Sequence, residues 1–301
     1  MPKPSLLISS ALTLIFVTWL WQGGMLDQWH THLGRIPLLT WVALAMGMLA
    51  SYSLRAWRIR REFSDIEGMT WFLSLRIVLA HTALVNLLPM RTGELGFPWL
   101  MRKALKVGWL DASASLMWLR GQDACVLATL AAWVWPDLSW GMRLSLTALL
   151  WLGVMAVVLA VRRHGSRISG ASAGRLALLT QTLTKRGQQQ IQGWLITTAN
   201  WTLKLTLQAW LLSQLLNLGM AAGWAGSLGA ELSALLPIQG LGGFGSYEAG
   251  SAAAMRVHGV DWTLGLQAAL TMHLGVLACS LSFGLLAWWL PSPLVTRHNP
   301  D

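Results

Sequence analysis

Apolar residues run through this chain in blocks too broad for one face of a soluble helix and too continuous for the alternation of a strand. Apolar runs that could span a bilayer occupy 5–21, 36–56, 112–133, 144–161, 193–216 and 262–290. A helix rises about 1.5 Å per residue, so roughly 20 residues cross the ~30 Å hydrocarbon core of a bilayer. Each of these runs is a candidate span. Two further stretches differ in kind. That at 69–90 contains Arg76, His81 and Asn86 and meets Pro89 at its end; that at 221–238 is rich in Gly and Ala, contains Glu231 and meets Pro237. With no strand pattern and no low-complexity linker, the chain reads as an all-α integral membrane protein, one polytopic domain over 1–301.

Composition narrows this further. Charged residues make up 11% of the chain, against roughly 25% in soluble domains. With 54% hydrophobic residues and a mean hydropathy of +0.51, a water-soluble globule is excluded. The net charge of +10 sits on residues that punctuate apolar runs rather than on a solvated face. It therefore predicts loops beside anionic headgroups and no nucleic-acid partner. Cys125 and Cys279 lie inside apolar runs, the seven histidines show no HxxxH or HExxH spacing, and no GxSxG elbow occurs; neither a metal site nor a cofactor is expected. Trp21, Trp135, Trp140 and Trp194 near segment ends fit interfacial belts, with Trp118 expected inside. Lys3 followed by the apolar stretch 6–20 has the outline of a signal peptide, but it ends in Trp19, Leu20 and Trp21 rather than small residues, so a retained first helix is expected.

Basic clusters orient the spans. Arg55, Arg58, Arg60 and Arg61 form one, and Arg162, Arg163, Arg167, Arg175, Lys185 and Arg186 the other; both read as cytoplasmic. The turn holding Asp27 is then outside, Arg102, Lys103 and Lys106 are inside, and both termini are cytoplasmic. Parity requires an even number of crossings within 69–96 and again within 221–255. Each is read as a re-entrant hairpin, the two entering from opposite faces, beside about six full spans. Leu87-Leu88-Pro89 and Leu235-Leu236-Pro237 echo each other 148 residues apart (235 − 87). That offset fits an inverted repeat with a site at mid-membrane, or a chance tripeptide.

Candidate chemistry sits on the interrupted segments and on two of the spanning runs. Arg91, Gly93 and Glu94 follow Pro89 as either a solvated turn or a loop at depth lining a wet cavity. Arg120 and Asp123, three apart on one helix face, are an internal ion pair or a substrate contact. Asn200, Lys204 and Gln208 recur at i, i+4 and i+8. An unpaired ammonium near the bilayer centre costs at least ~3 kcal/mol, so Lys204 calls for Asp123, Glu231, Glu248 or a substrate phosphate. Gly240, Gly242, Gly243 and Gly245 match GxGxxG formally, but no βαβ unit surrounds them. They read as unwound backbone whose N–H groups cradle an anion before Glu248, or as packing glycines.

Taken together, Asn86-Leu-Leu-Pro89-Met-Arg91-Thr-Gly93-Glu94, then Arg120 and Asp123, then Leu236-Pro237 leading to Gly242-Gly243-Phe-Gly245-Ser-Tyr-Glu248-Ala249, resemble the lysylphosphatidylglycerol synthase transmembrane (flippase-like) family. The match runs over almost the whole chain in order. It departs at Leu119, where the family often has Glu, and at Phe97 and Pro98, where an Arg is common. The resemblance implies a multi-pass protein of the bacterial inner membrane that moves a polar, anionic or phosphate-bearing lipid between leaflets. Aminoacyl transfer is not expected, since the soluble synthase half is absent. Two other classes stay open: a membrane enzyme modifying a lipid headgroup with Glu94, Asp123 or Glu248 as acid or base, and a non-catalytic partner of a lipid-biosynthesis complex or a homo-oligomer.

Overall fold

The computed structural model describes residues 4–22, 34, 36–165, 190–236 and 239–289. Among the described residues there are ten α-helices and no strand: α1 (Pro4–Gln22), α2 (Leu38–Glu62), α3 (Trp71–Leu87), α4 (Gly96–Leu105), α5 (Trp109–Val134), α6 (Trp140–Gly165), α7 (Gln190–Leu216), α8 (Met220–Ser233), α9 (Ser246–Arg256) and α10 (Trp262–Leu286). Asp27, Arg167, Arg175, Lys185, Arg186 and Pro237 lie outside the described residues, as do the extreme termini.

Three helices, α2, α6 (over Trp140–Ala160) and α10, are long and apolar enough to cross a membrane. Three of the six runs expected to span do not meet that standard. The apolar part of α1, Leu6–Gln22, is short. Although α5 and α7 are 26 and 27 residues long, Arg120 and Asp123 on one and Asn200, Lys204 and Gln208 on the other lower their hydropathy. The polar residues that weaken these spans are the ones that build the site.

Element ends follow from local chemistry. Thr70 Oγ1 accepts from Leu73 N at 3.2 Å and starts α3, and Asp261 accepts from the Thr263 and Leu264 amides to start α10. Pro89 forces Leu88 into extended backbone (φ −90, ψ 137) and stops α3. The chain then makes a 3-10 turn, Pro89–Leu95, before α4. A short 3-10 turn, Leu241–Gly243, likewise precedes α9.

The helices repeat in kind. Long α2 is followed by the pair α3–α4 and long α5; long α7 is followed by the pair α8–α9 and long α10. Packing repeats with them: α2 meets α7, α3 meets α10 while α8 meets α5, and the two 3-10 turns touch. The paired helices are short, 17 and 10 residues in the first hairpin and 14 and 11 in the second. At 1.5 Å per residue these span roughly 15 to 26 Å. Large apolar side chains cover the outside, among them Leu14, Ile15, Leu149 and Leu152, each about two-thirds exposed. A coat of that kind belongs against lipid rather than water. Trp194, expected in a belt, is instead packed between Trp118 and Trp151.

Candidate functional site

The two hairpin turns and helices α2, α5, α7, α8 and α10 enclose a cavity of about 170 Å³. Three ion-pair centres stand at it: Arg91, Arg120, Asp123, Lys204 and Glu231 line it, while Glu94 is not part of the lining and reaches it through Arg91 and Arg120.

The first is Glu94, on the turn after Pro89. It accepts from Arg91 Nη2 at 2.7 Å and from Arg120 Nη2 at 3.0 Å, and His81 Nε2 stands 3.4 Å away. Arg91 adopts left-handed backbone (φ +56), a strained choice for a non-glycine residue. From there its guanidinium also donates to the carbonyl of Ala234, the cap of α8. One side chain thus ties the first hairpin to an orphan helix-end carbonyl of the second. Gly93 is buried and not part of the cavity wall. A Cβ there would run into the Leu84 carbonyl, so it serves close packing of the turn on α3.

Asp123 is the second centre, 5% exposed. It receives Arg58 Nη1 at 2.7 Å, Trp201 Nε1 at 3.0 Å and Arg120 Nη1 at 3.3 Å. Arg120 therefore bridges the two carboxylates, and the alternative of an internal ion pair on α5 is realised. Arg58, one of the basic cluster expected in a cytoplasmic loop, lies instead within a helix and is buried: α2 continues through Glu62, and Arg58 is 7% exposed, also donating to Thr197 Oγ1 at 2.6 Å. The signal was in the sequence, because the buried stripe Leu44, Met48 and Ser51 continues at helical spacing to Arg55 and Arg58. Arg55 lines the cavity and donates to Thr82 Oγ1 at 3.2 Å. Among the described residues no carboxylate forms an ion pair with it.

Glu231 is the third. Lys204 Nζ lies 2.8 Å from it, so among the partners Lys204 called for, Glu231 is the one it has. Gln208 Nε2 and Tyr247 Oη donate to the same oxygen at 2.9 and 3.1 Å, and Asn200 accepts from Ser51 Oγ at 2.7 Å. The polar stripe of α7 thus ties α7 to α2, α8 and α9.

The glycine loop behaves differently from the anion cradle expected of it. Gly242, Gly243 and Gly245 do take positive φ values of 64, 88 and 88, which suits glycine. However, the N–H of Gly243 donates to Gly240, that of Phe244 to Leu241, and that of Gly245 to Glu248 Oε2 at 2.7 Å. These donors are spent within the loop. Gly242 instead presents its carbonyl to His273 Nε2 at 3.0 Å, and His273 Nδ1 meets Glu248 Oε1 at 2.6 Å. Gly242, Gly243 and His273 line the cavity, whereas Gly245 and the fully buried Glu248 lie behind them. Neither Glu94 nor Glu248 lines the cavity; each instead pairs with residues that do.

Sequence reading missed His273, Tyr247, Arg55 and Arg58 as site residues. His273 gave no signal, being a lone histidine in the apolar run of α10. Leu88 and Leu235, each about two-fifths exposed, belong to the cavity wall as well and give it an apolar lip. No group of His, Cys, Asp and Glu among the described residues has the arrangement of a metal site. No family model, curated protein or solved structure matches the chain.

Proposed function

We propose that this chain translocates a polar, anionic, phosphate-bearing lipid between the leaflets of a bacterial inner membrane. The observation that carries this reading is the cavity itself: guanidinium and ammonium groups inside an apolar-coated helical body, with the partly exposed Leu88 and Leu235 in the same wall. A headgroup enters while its tails stay in the bilayer, since Arg55, Arg91, Arg120 and Lys204 on the cavity wall suit a phosphate and not an acyl chain.

Arg91, Arg120 and Lys204 hold the phosphate, joined by Arg55. Glu94, Asp123 and Glu231 answer Arg91, Arg120 and Lys204 when the cavity is empty, because uncompensated charge in a low-dielectric site is costly; Arg55 has no carboxylate paired with it among the described residues. Glu248 contributes through His273 rather than directly. The exchanged packing of the two halves supports an inverted repeat, with α3–α4 and α8–α9 as re-entrant hairpins from opposite faces. Rocking of the halves about the shared cavity would then expose it to each leaflet in turn. The resemblance to the lysylphosphatidylglycerol synthase transmembrane family points the same way.

A headgroup-modifying enzyme fits less well, since each carboxylate at the cavity is already engaged by arginine, lysine or histidine. Liposomes containing the purified protein and a tail-labelled anionic phospholipid separate the readings. Redistribution of the label between leaflets with the lipid chemically unchanged is expected; a new headgroup product without redistribution would overturn the proposal.

A further inference from the structure

The charges around the cavity do not cancel. Five cationic side chains line it or pair with its wall: Arg55, Arg58, Arg91, Arg120 and Lys204. Three carboxylates answer them: Glu94, Asp123 and Glu231. His81 shares Glu94 with two guanidinium groups and is counted as neutral imidazole.

Glu248 and His273 add nothing to this difference. A carbonyl only accepts, so the 3.0 Å contact to the Gly242 oxygen puts a proton on His273 Nε2. The 2.6 Å between His273 Nδ1 and Glu248 Oε1 requires a second proton between them. Whether written as imidazolium with carboxylate or imidazole with carboxylic acid, the pair sums to zero. Among the described residues the cavity is therefore left with two positive charges, and Arg55, which lines it and donates to the Thr82 hydroxyl without a carboxylate in ion-pair contact, is where the surplus is least compensated.

From this excess we infer that the lipid carried ends in a terminal phosphate, a phosphomonoester, rather than a phosphodiester. The inference rests on the proposed lipid-translocating reading of the same cavity. A terminal phosphate carries about −1.5 to −2 near neutral pH and cancels the excess. A diester carries one negative charge and leaves a positive charge buried. A zwitterionic phosphodiester brings none. Two linked diesters also reach two negative charges, but on separate phosphates, so that each brings only one of them to a given set of cations. Cancellation matters more here than at a surface, because charge pairs are less screened away from water.

A minimal pair of ligands tests this. Short-chain phosphatidic acid and short-chain phosphatidylmethanol share their tails and glycerol and differ by one methyl on the phosphate. Binding of each to the detergent-solubilised full chain is measured by calorimetry, for the wild type, Arg55→Gln and Arg55→Lys. The monoester is expected to bind about tenfold tighter or more. Arg55→Gln should collapse that preference, mainly by weakening the monoester. Arg55→Lys keeps the charge and should keep the preference, which separates lost charge from lost folding. Equal binding of the two lipids, or a preference untouched by Arg55→Gln, overturns the terminal-phosphate inference and leaves lipid translocation standing. Binding of neither lipid, together with no redistribution of anionic lipid in liposomes, overturns both.

Discussion

Lys204 and Glu231 face each other at 2.8 Å with side chains 18% and 8% exposed, and that geometry decides what a substitution at either position reports. Removing one partner of a buried pair costs about 3–5 kcal/mol, because the other is left charged and unanswered. Lys204→Met alone should therefore unfold at markedly lower temperature in detergent, and Lys204→Met with Glu231→Gln should recover most of the loss. Simple addition of the two single losses would show that the pair is not coupled. Arg58→Leu should be destabilising by a similar amount, since Asp123 would keep only Arg120 and Trp201; thermal unfolding of the purified variant reads it directly. Residue-level legibility was uneven for a physical reason. A charge within an apolar run announces its own cost, so Arg91, Glu94, Arg120, Asp123 and Lys204 stood out. At a helix end the same charge looks like a loop residue, so Arg58 did not. The roles of Gly242, Gly243 and Gly245 turned on which N–H groups the loop consumes, and that depends on tertiary packing rather than on spacing.

At the scale of elements, the second hairpin closes through small residues. A Cβ on Gly229 would meet the Gly250 carbonyl, and one on Gly250 would lie 2.5 Å from Ser233 Cβ; α8 and α9 thus approach nearly backbone to backbone. Gly229→Val should force them apart, costing roughly 1–3 kcal/mol as overpacking does. On α6, a Cβ on Gly153 meets nothing within 4 Å, so Gly153→Ala should be neutral or gain up to about 1 kcal/mol of helix propensity. Thermal melts of the two variants in one detergent check the contrast, and equal loss in both would refute the close approach. Apolar run length located the long helices and Pro89 the end of α3. Neither could separate α4 and α9 as helices in their own right, because both are short and mixed in polarity.

For the whole molecule, the repeated order of long helix, hairpin and long helix makes a prediction about sidedness. Single cysteines at Glu67, before α3, and Arg102, in the last turn of α4, mark the ends of the first hairpin, and those at Leu218, before α8, and Arg256, the last residue of α9, mark the ends of the second. On a background lacking Cys125 and Cys279, the first two should label from one side of the membrane and the last two from the other. Labelling of Glu67 and Arg102 positions from opposite sides would make α3–α4 something other than a re-entrant hairpin. The test of the cavity as the path for the headgroup is the initial rate of anionic phospholipid translocation in proteoliposomes. Arg91→Gln and Lys204→Met with Glu231→Gln would be compared with Lys103→Gln, a change at an exposed position on α4, each checked for folded protein. Rates about tenfold or more below wild type in both cavity variants, with Lys103→Gln unchanged, are predicted from the cost of leaving a headgroup phosphate without its cations. Wild-type rates in both cavity variants would mean that the headgroup takes another path.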